Sequence, residues 1–209
     1  MAALASSKSF VAALQELAEP SAVAEVSRFF HFEDDRSTRI LGVKIGKVFP
    51  VAKRFAHIPL AEIDRLLDSP YYEVRMGAVS IMDFQARAKR TPPEQRKALF
   101  DLYLRRHDRI NNWDLVDRAA PHVIGGYLAD KPRNILYKLA RSKNPWERRT
   151  AIVSTWYFIR EGDVDDTFAI AELLAYDSHE LVQKAVGFVH NPLACSSDNS
   201  NAHRRQPSV

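Results

Sequence analysis

Apolar residues recur along most of this chain at intervals of three and four, the spacing that lines one face of a helix. Phe10, Leu14 and Leu17 share such a face in a predicted helix over 9–17, which Pro20 stops. The same periodicity predicts helices over 22–30, 61–67, 71–88, 94–106, 113–119, 132–140, 145–159, 164–175 and 179–189. Pro50 places a further helix over 50–56, since its missing N–H is not needed in a first turn, and Pro59 and Pro70 end successive segments. Alternating runs of strand length are lacking, no Asn-Gly or Asp-Gly turn occurs, and only seven glycines are present. The chain reads as all-α, with a charged loop at 33–36.

Within the helices a weak repeat emerges when alanines serve as anchors. Glu73-Val74-Arg75-Met76-Gly77-Ala78-Val79, Glu147-Arg148-Arg149-Thr150-Ala151-Ile152 and Leu181-Val182-Gln183-Lys184-Ala185-Val186 align on Ala78, Ala151 and Ala185. The first interval has room for one more unit, near Leu115 and Val116. Irregular two-helix units of thirty-odd residues are the mark of a HEAT-like α-solenoid, in which small alanines let second helices approach closely. A plain helical bundle is the alternative.

Composition adds compartment and charge. One cysteine, Cys195, excludes an intrachain disulfide and a cysteine-rich zinc site. The first residues, 1–7, are small and nearly uncharged, and no apolar run approaches the ~18 residues that span a bilayer. A cytoplasmic, unanchored protein is expected. Residues 28–54 carry seven basic and three acidic side chains, 87–109 eight and three, and 141–160 five and one, whereas 163–180 has six acidic and no basic residues. Stacked in a regular array, such blocks form a concave basic face suited to nucleic acid; as separate helices they are ordinary solvated faces.

Asn111-Asn112-Trp113-Asp114-Leu115-Val116-Asp117 sets a ring and a carboxylate one helical turn apart. Asn111 or Asn112 suits the N-cap, Asp114 suits the first turn, and Pro121 is expected to close the segment. Spacing alone favours the plainer reading, with Trp113 in the core and Asp117 a solvated acid paired with Arg118. The seven histidines show no metal spacing and are assigned to structure or surface, and Trp146 and Trp156 to the core. No phosphate-binding glycine loop or nucleophile elbow is present, and neither metal nor cofactor is implied.

Three motifs in order carry a resemblance to a known family. Trp113-Asp114-Leu115-Val116-Asp117, then Asn144-Pro145-Trp146-Glu147-Arg148-Arg149-Thr150-Ala151-Ile152, then Val182-Gln183-Lys184-Ala185-Val186-Gly187-Phe188 resemble the AlkD-like DNA alkylation repair enzymes. Gly42-Val43 before Pro50 and Arg54 is similar to that family's N-terminal pattern, and the resemblance covers roughly residues 10 to 190. It implies a HEAT-like solenoid that binds duplex DNA on a basic face and releases cationic alkylated purines, chiefly 3-methyladenine and 7-methylguanine.

Carried onto this sequence, the resemblance makes Asp117 and Trp113 the catalytic pair. A cationic purine is already a good leaving group, so the transition state needs stabilisation of an oxocarbenium-like sugar, which an ionised carboxylate supplies. Trp113 would offer its ring face to the cation. Arg149 would grip a backbone phosphate, and Arg148, Phe188 and Phe29 would complete the DNA surface. Phe188 stands where the family usually has tryptophan and Phe29 where it often has tyrosine, so both keep a π-face without a hydrogen bond. The implied function is a monofunctional DNA glycosylase, expected to be a monomer; the alternative is a non-catalytic HEAT-like module that binds nucleic acid or protein. The domain is set at 1–190, with Pro192 expected to end the last helix and 191–209 expected to be a disordered polar tail.

Overall fold

The computed structural model describes residues 5–30 and 35–199, with side chains described up to Val189. Thirteen α-helices lie among them: α1 (Ser7–Gln15), α2 (Val23–Ser27), α3 (Ile45–Arg54), α4 (Leu60–Leu67), α5 (Tyr72–Arg87), α6 (Pro93–Arg105), α7 (Trp113–Ala120), α8 (Gly126–Leu128), α9 (Asn134–Ala140), α10 (Pro145–Ser154), α11 (Trp156–Arg160), α12 (Asp165–Leu174) and α13 (Glu180–Asn199). No strand occurs among the described residues; one isolated bridge joins Arg39 to Tyr71.

The helices stack in two rows. Helices α3, α5, α7, α10 and α13 pack side by side in that order, while α1, α4, α6, α9 and α12 cover them from one side. The alanine anchors fall where the repeat places them: Ala78, Ala151 and Ala185 are buried on α5, α10 and α13, and α7 is the unit between the first two. An all-α solenoid is the result, its core continuous from Phe10 to Val189. At the described end of the array Phe168, Leu173 and Tyr176 of the α12 region remain exposed.

Near-complete burial of α5 follows from its neighbours on three sides, α3, α4 and α7. Its buried polar groups therefore need partners. Glu73 accepts from the backbone N–H groups of Leu41 (2.9 Å), Gly42 (2.8 Å) and Val43 (3.1 Å), which fixes the loop leading into α3. Gly42 has φ +89°, and a Cβ there would meet the carbonyl oxygen of Glu19 at 2.6 Å. Gln85 Nε2 donates to the Ile58 carbonyl at 2.8 Å.

Three prolines behave differently from expectation. Pro50 lies inside α3, which begins at Ile45 rather than at the proline. Pro121 does not close α7: residues Pro121–Gly125 form a π-helical turn that runs on into α8. Proline has no N–H to return to the carbonyl four residues back, here Asp117, and a wider turn lets a later donor reach it. Pro192 likewise lies within α13, which continues to Asn199; a proline in a helix forfeits one bond and kinks the ladder, at a cost of about 3 kcal/mol, without having to end it. Of the tail set at 191–209, residues 200–209 lie outside the described residues, as do Glu33 and Asp34 of the charged loop.

The basic blocks do not all contribute to one face. Much of 87–109 sits on or beside α6, in the covering row, and its arginines are tied into the fold. Arg105 and Arg106 pair with Asp64, Arg106 also with Asp68, and Arg109 donates to the carbonyls of Leu67 and Ser69. Arg96 donates to the carbonyls of Ala86, Ala88 and Thr91. Arg109 and Arg96 thereby satisfy carbonyls at the C-terminal ends of α4 and α5, orphan groups any stacked-helix fold must cover. Exposed Lys53 and Arg54, by contrast, end α3 in the inner row.

Candidate active site

Helix α7 brings the first site residues together. Leu115, Val116, Ala119 and Ala120 face the core, so Trp113, Asp117 and Arg118 project from the other side. Asn112 occupies the N-cap position with extended backbone, but its side chain does not cap α7. Its amide donates instead to the Phe29 carbonyl (2.8 Å) and to Asp114 Oδ1 (2.6 Å), and Trp113 Nε1 donates to the same carbonyl at 3.0 Å. That double grip seats Phe29 beside Trp113.

Asp114 is structural, as its place in the first turn suggests. Tyr72 donates its hydroxyl to Oδ2, and burial pushes the carboxyl up to about 6 against the hydrogen bonds of Tyr72 and Asn112, which favour the ion. Burial, with the charge of Asp114 beside it, also pushes the Tyr72 phenol up.

Asp117 is joined to Arg149 by a two-pronged ion pair. Nε of Arg149 donates to Oδ1 at 2.9 Å and Nη2 to Oδ2 at 2.7 Å, while Nη1 donates to the Leu181 carbonyl of α13. Three successive inner helices are thereby pinned at one arginine. The Arg149 side chain is 7% exposed and that of Asp117 37%, so the pair has a dry end and a wet end. The guanidinium carbon lies 6.0 Å from the centre of the Trp113 ring. Two sequence readings change here. The fork of Arg149 is engaged by a carboxylate rather than extended to solvent, which leaves two of its five N–H donors. Arg118 is not the partner of Asp117: its Nη1 reaches Asp83 at 3.0 Å, its Nε donates to Ser80 Oγ at 3.0 Å, and it lies over the rings of Phe49 and Phe84.

Two hollows meet at Asp117 and Arg118, which line both. One, of about 360 Å³, is walled by Phe29, Phe49 and Trp113. The other, of about 270 Å³, is walled by Arg149, Val153, Trp156, His122 and Phe188, with Asp83 behind them. Phe188 is 68% exposed at its rim. The structure thus gathers Trp113, Asp117, Arg149, Phe29 and Phe188 around one carboxylate. It does not bring in Arg148, whose guanidinium holds Asp177 at 2.6 and 2.8 Å and caps the carbonyls of Ser142 and Lys143.

Sequence reading missed Trp156 and His122, assigned to core and to structure or surface. Both were findable by spacing. Arg149, Val153 and Trp156 stand at i, i+4 and i+7 across the α10–α11 junction, and Arg118 and His122 at i and i+4. Trp146, by contrast, is core, its ring edge-on to His179.

Among the described residues no group of three or more His, Cys, Asp or Glu is arranged to hold a metal ion, and no helix is long and apolar enough to cross a membrane. The fold and site define a helical-repeat protein whose inner row carries an aromatic-lined, arginine-held aspartate. Compared with known families, residues 10–190 match the DNA alkylation repair enzymes, and the chain belongs to that family, as its resemblance to the AlkD-like members implies. A comparison with curated proteins finds no match. Family membership gives the protein a role in DNA repair and DNA as its substrate.

Proposed function

We propose that the protein is a DNA glycosylase that hydrolyses the N-glycosidic bond of cationic alkylated purines, 3-methyladenine and 7-methylguanine, in duplex DNA. The observation that carries this reading is the placement of Asp117: a carboxylate fixed by a two-pronged arginine contact, still 37% exposed, where two aromatic-lined hollows meet. An ionised carboxylate accepts up to about four hydrogen bonds, so the arginine fork leaves lone pairs for a sugar or a water.

In the reaction the C1′–N9 bond breaks with its electron pair passing to the purine, whose positive charge is thereby neutralised. Charge develops on the sugar as it is lost from the base, and Asp117 stabilises it there. The same carboxylate orients a water that adds to C1′, and the water's proton passes to Asp117 and from there to solvent. Arg149 prevents the carboxylate from rotating, which is preorganisation rather than neutral support, and its two remaining donors serve the adjacent phosphate. Trp113 and Phe29 on one side and Phe188 on the other supply π-faces to a cationic nucleotide, each contact worth roughly 0.5–2 kcal/mol according to exposure.

The test is direct. Methylated duplex DNA is incubated with the protein and the free bases are separated by chromatography. Release of methylpurines is expected; binding of the duplex without release would replace the glycosylase with a non-catalytic binding module.

A further inference from the structure

Acidic charge and exposed apolar surface coincide on α12, in the covering row. Residues 163–180 carry six acidic side chains and no Lys or Arg. Asp163 and Asp166 hold Arg133, Asp177 holds Arg148, and Glu180 pairs with Lys184. Asp165 and Glu172 are exposed and enter no ion pair among the described residues. Helix α12 buries Thr167, Ile170, Ala171 and Leu174 within the array, where it touches α9, α10, α11 and α13. Its other side reads Asp165, Phe168, Glu172, Tyr176, in steps of three, four and four that keep one line along a helix. Ala175 retains helical backbone, which carries the line through to Tyr176. Phe168 is 48% exposed and Tyr176 96%, with Leu173 at 44% flanking them. Carboxylate and ring thus alternate turn by turn on a face that solvent reaches.

Two observations say what such a face takes. Polyanionic DNA is repelled by an acidic segment without Lys or Arg, and α12 stands in the covering row, away from the inner row that holds Asp117. A second flank of the same helix shows what is attracted instead. There α9 docks through Arg133 and Tyr137: Arg133 Nη1 lies 2.7 Å from Asp163 and 2.8 Å from Asp166, and the Tyr137 hydroxyl donates to Asp166 at 2.5 Å. The Arg133 guanidinium also sits 3.7 Å from the centre of the Phe158 ring. Arginine against carboxylate and ring is therefore how this unit already accepts a helix of its own chain. We propose that the exposed face of α12 is a protein-docking surface for a basic amphipathic helix of a partner chain. Arginines or lysines of that helix meet Asp165 and Glu172, and its apolar stripe covers Phe168, Leu173 and Tyr176. The surface does not depend on the glycosylase reading and leaves the inner row open to DNA.

The test uses the full chain and synthetic peptides as probes. One is an amphipathic Leu–Arg helix, another a permuted Leu–Arg peptide of the same composition without an apolar face, and the last the amphipathic helix with Glu in place of every Arg. Binding is read by fluorescence anisotropy and located by amide hydrogen exchange. The amphipathic Leu–Arg helix is expected to bind about tenfold or more tightly than either control and to slow exchange over residues 165–176. Combining Glu172→Gln with Tyr176→Ala, both at exposed positions, is expected to lower that affinity about tenfold, while duplex-DNA affinity and melting temperature stay as in wild type. Equal binding by the permuted peptide would reduce the face to bulk charge and overturn the proposal. Absence of binding, or protection that falls elsewhere than α12, would overturn it too. Self-association of the free chain that the double substitution abolishes would make a second copy the occupant and contradict the partner named here.

Discussion

Arg148 and Arg149 leave α10 about 100° apart around its axis, and that angle decides what each can touch. Arg148 points along the covering side to Asp177, whose carboxyl it holds below the usual range despite burial, while Arg149 points between α7 and α13 to Asp117. Nothing in the string Glu147-Arg148-Arg149-Thr150 separates the two, because the choice depends on which neighbouring helix offers a carboxylate. Asp114 and Asp117 are a similar pair, one closed in by Tyr72 and Asn112 and the other open. The environment of Asp114 makes a pH prediction. The folded state keeps a proton on it up to about pH 6, whereas an unfolded aspartate releases it near 4, so between those values the native state binds more protons. Stability contributed by this residue therefore falls as pH rises from about 4 to about 6, and is flat above. Asp114→Asn should remove that slope. In paired denaturant titrations the variant should gain on wild type across this window by on the order of 1–3 kcal/mol, and a difference constant with pH would rule the assignment out.

At the scale of elements, helix positions were legible from apolar periodicity, and the prolines were where that legibility ended. Each was read as a boundary, yet Pro50, Pro121 and Pro192 all lie within helical segments. Local sequence records the missing donor but not the packing that holds a helix together across it. For the site the consequence is useful, since the turn at Pro121–Gly125 carries His122 and joins α7 to its surroundings. Gly125 makes that turn possible: a Cβ there would lie 2.2 Å from the Ser154 carbonyl oxygen and 2.9 Å from Tyr157 Cβ. Gly125→Ala must push the turn away from the end of α10, at a cost of about 1–3 kcal/mol typical of overpacking. A lowered melting temperature is expected, together with a change in the histidine-ring spectrum of His122. A variant as stable as wild type would mean that the contact relaxes freely.

Across the whole molecule, the repeat and its alanine anchors were readable because stacking demands small residues at the same place in each unit. The basic face was not readable from block counts, since charge composition does not say which row a helix joins. Duplex binding through phosphates should show the logarithm of affinity falling with the logarithm of salt, by about 0.9 per contact. Lys53→Ala, in the inner row, is expected to reduce that slope, whereas Arg105→Ala, on α6 and paired with Asp64, should leave it unchanged. Equal effects would show that DNA is not bound by the inner row. Asp117 is also no free surface acid: replacing it leaves buried Arg149 short of its partner, so Asp117→Asn should cost stability of about 1–3 kcal/mol and must be assayed well below its melting temperature. The central measurement is then single-turnover release of 7-methylguanine and 3-methyladenine from duplex DNA by wild type and folded Asp117→Asn. A fall on the order of 10²–10³ in the chemical step, with duplex affinity kept, is expected from loss of one well-placed electrostatic stabiliser. Release by the variant at the wild-type rate would contradict the assignment of Asp117 as the catalytic carboxylate.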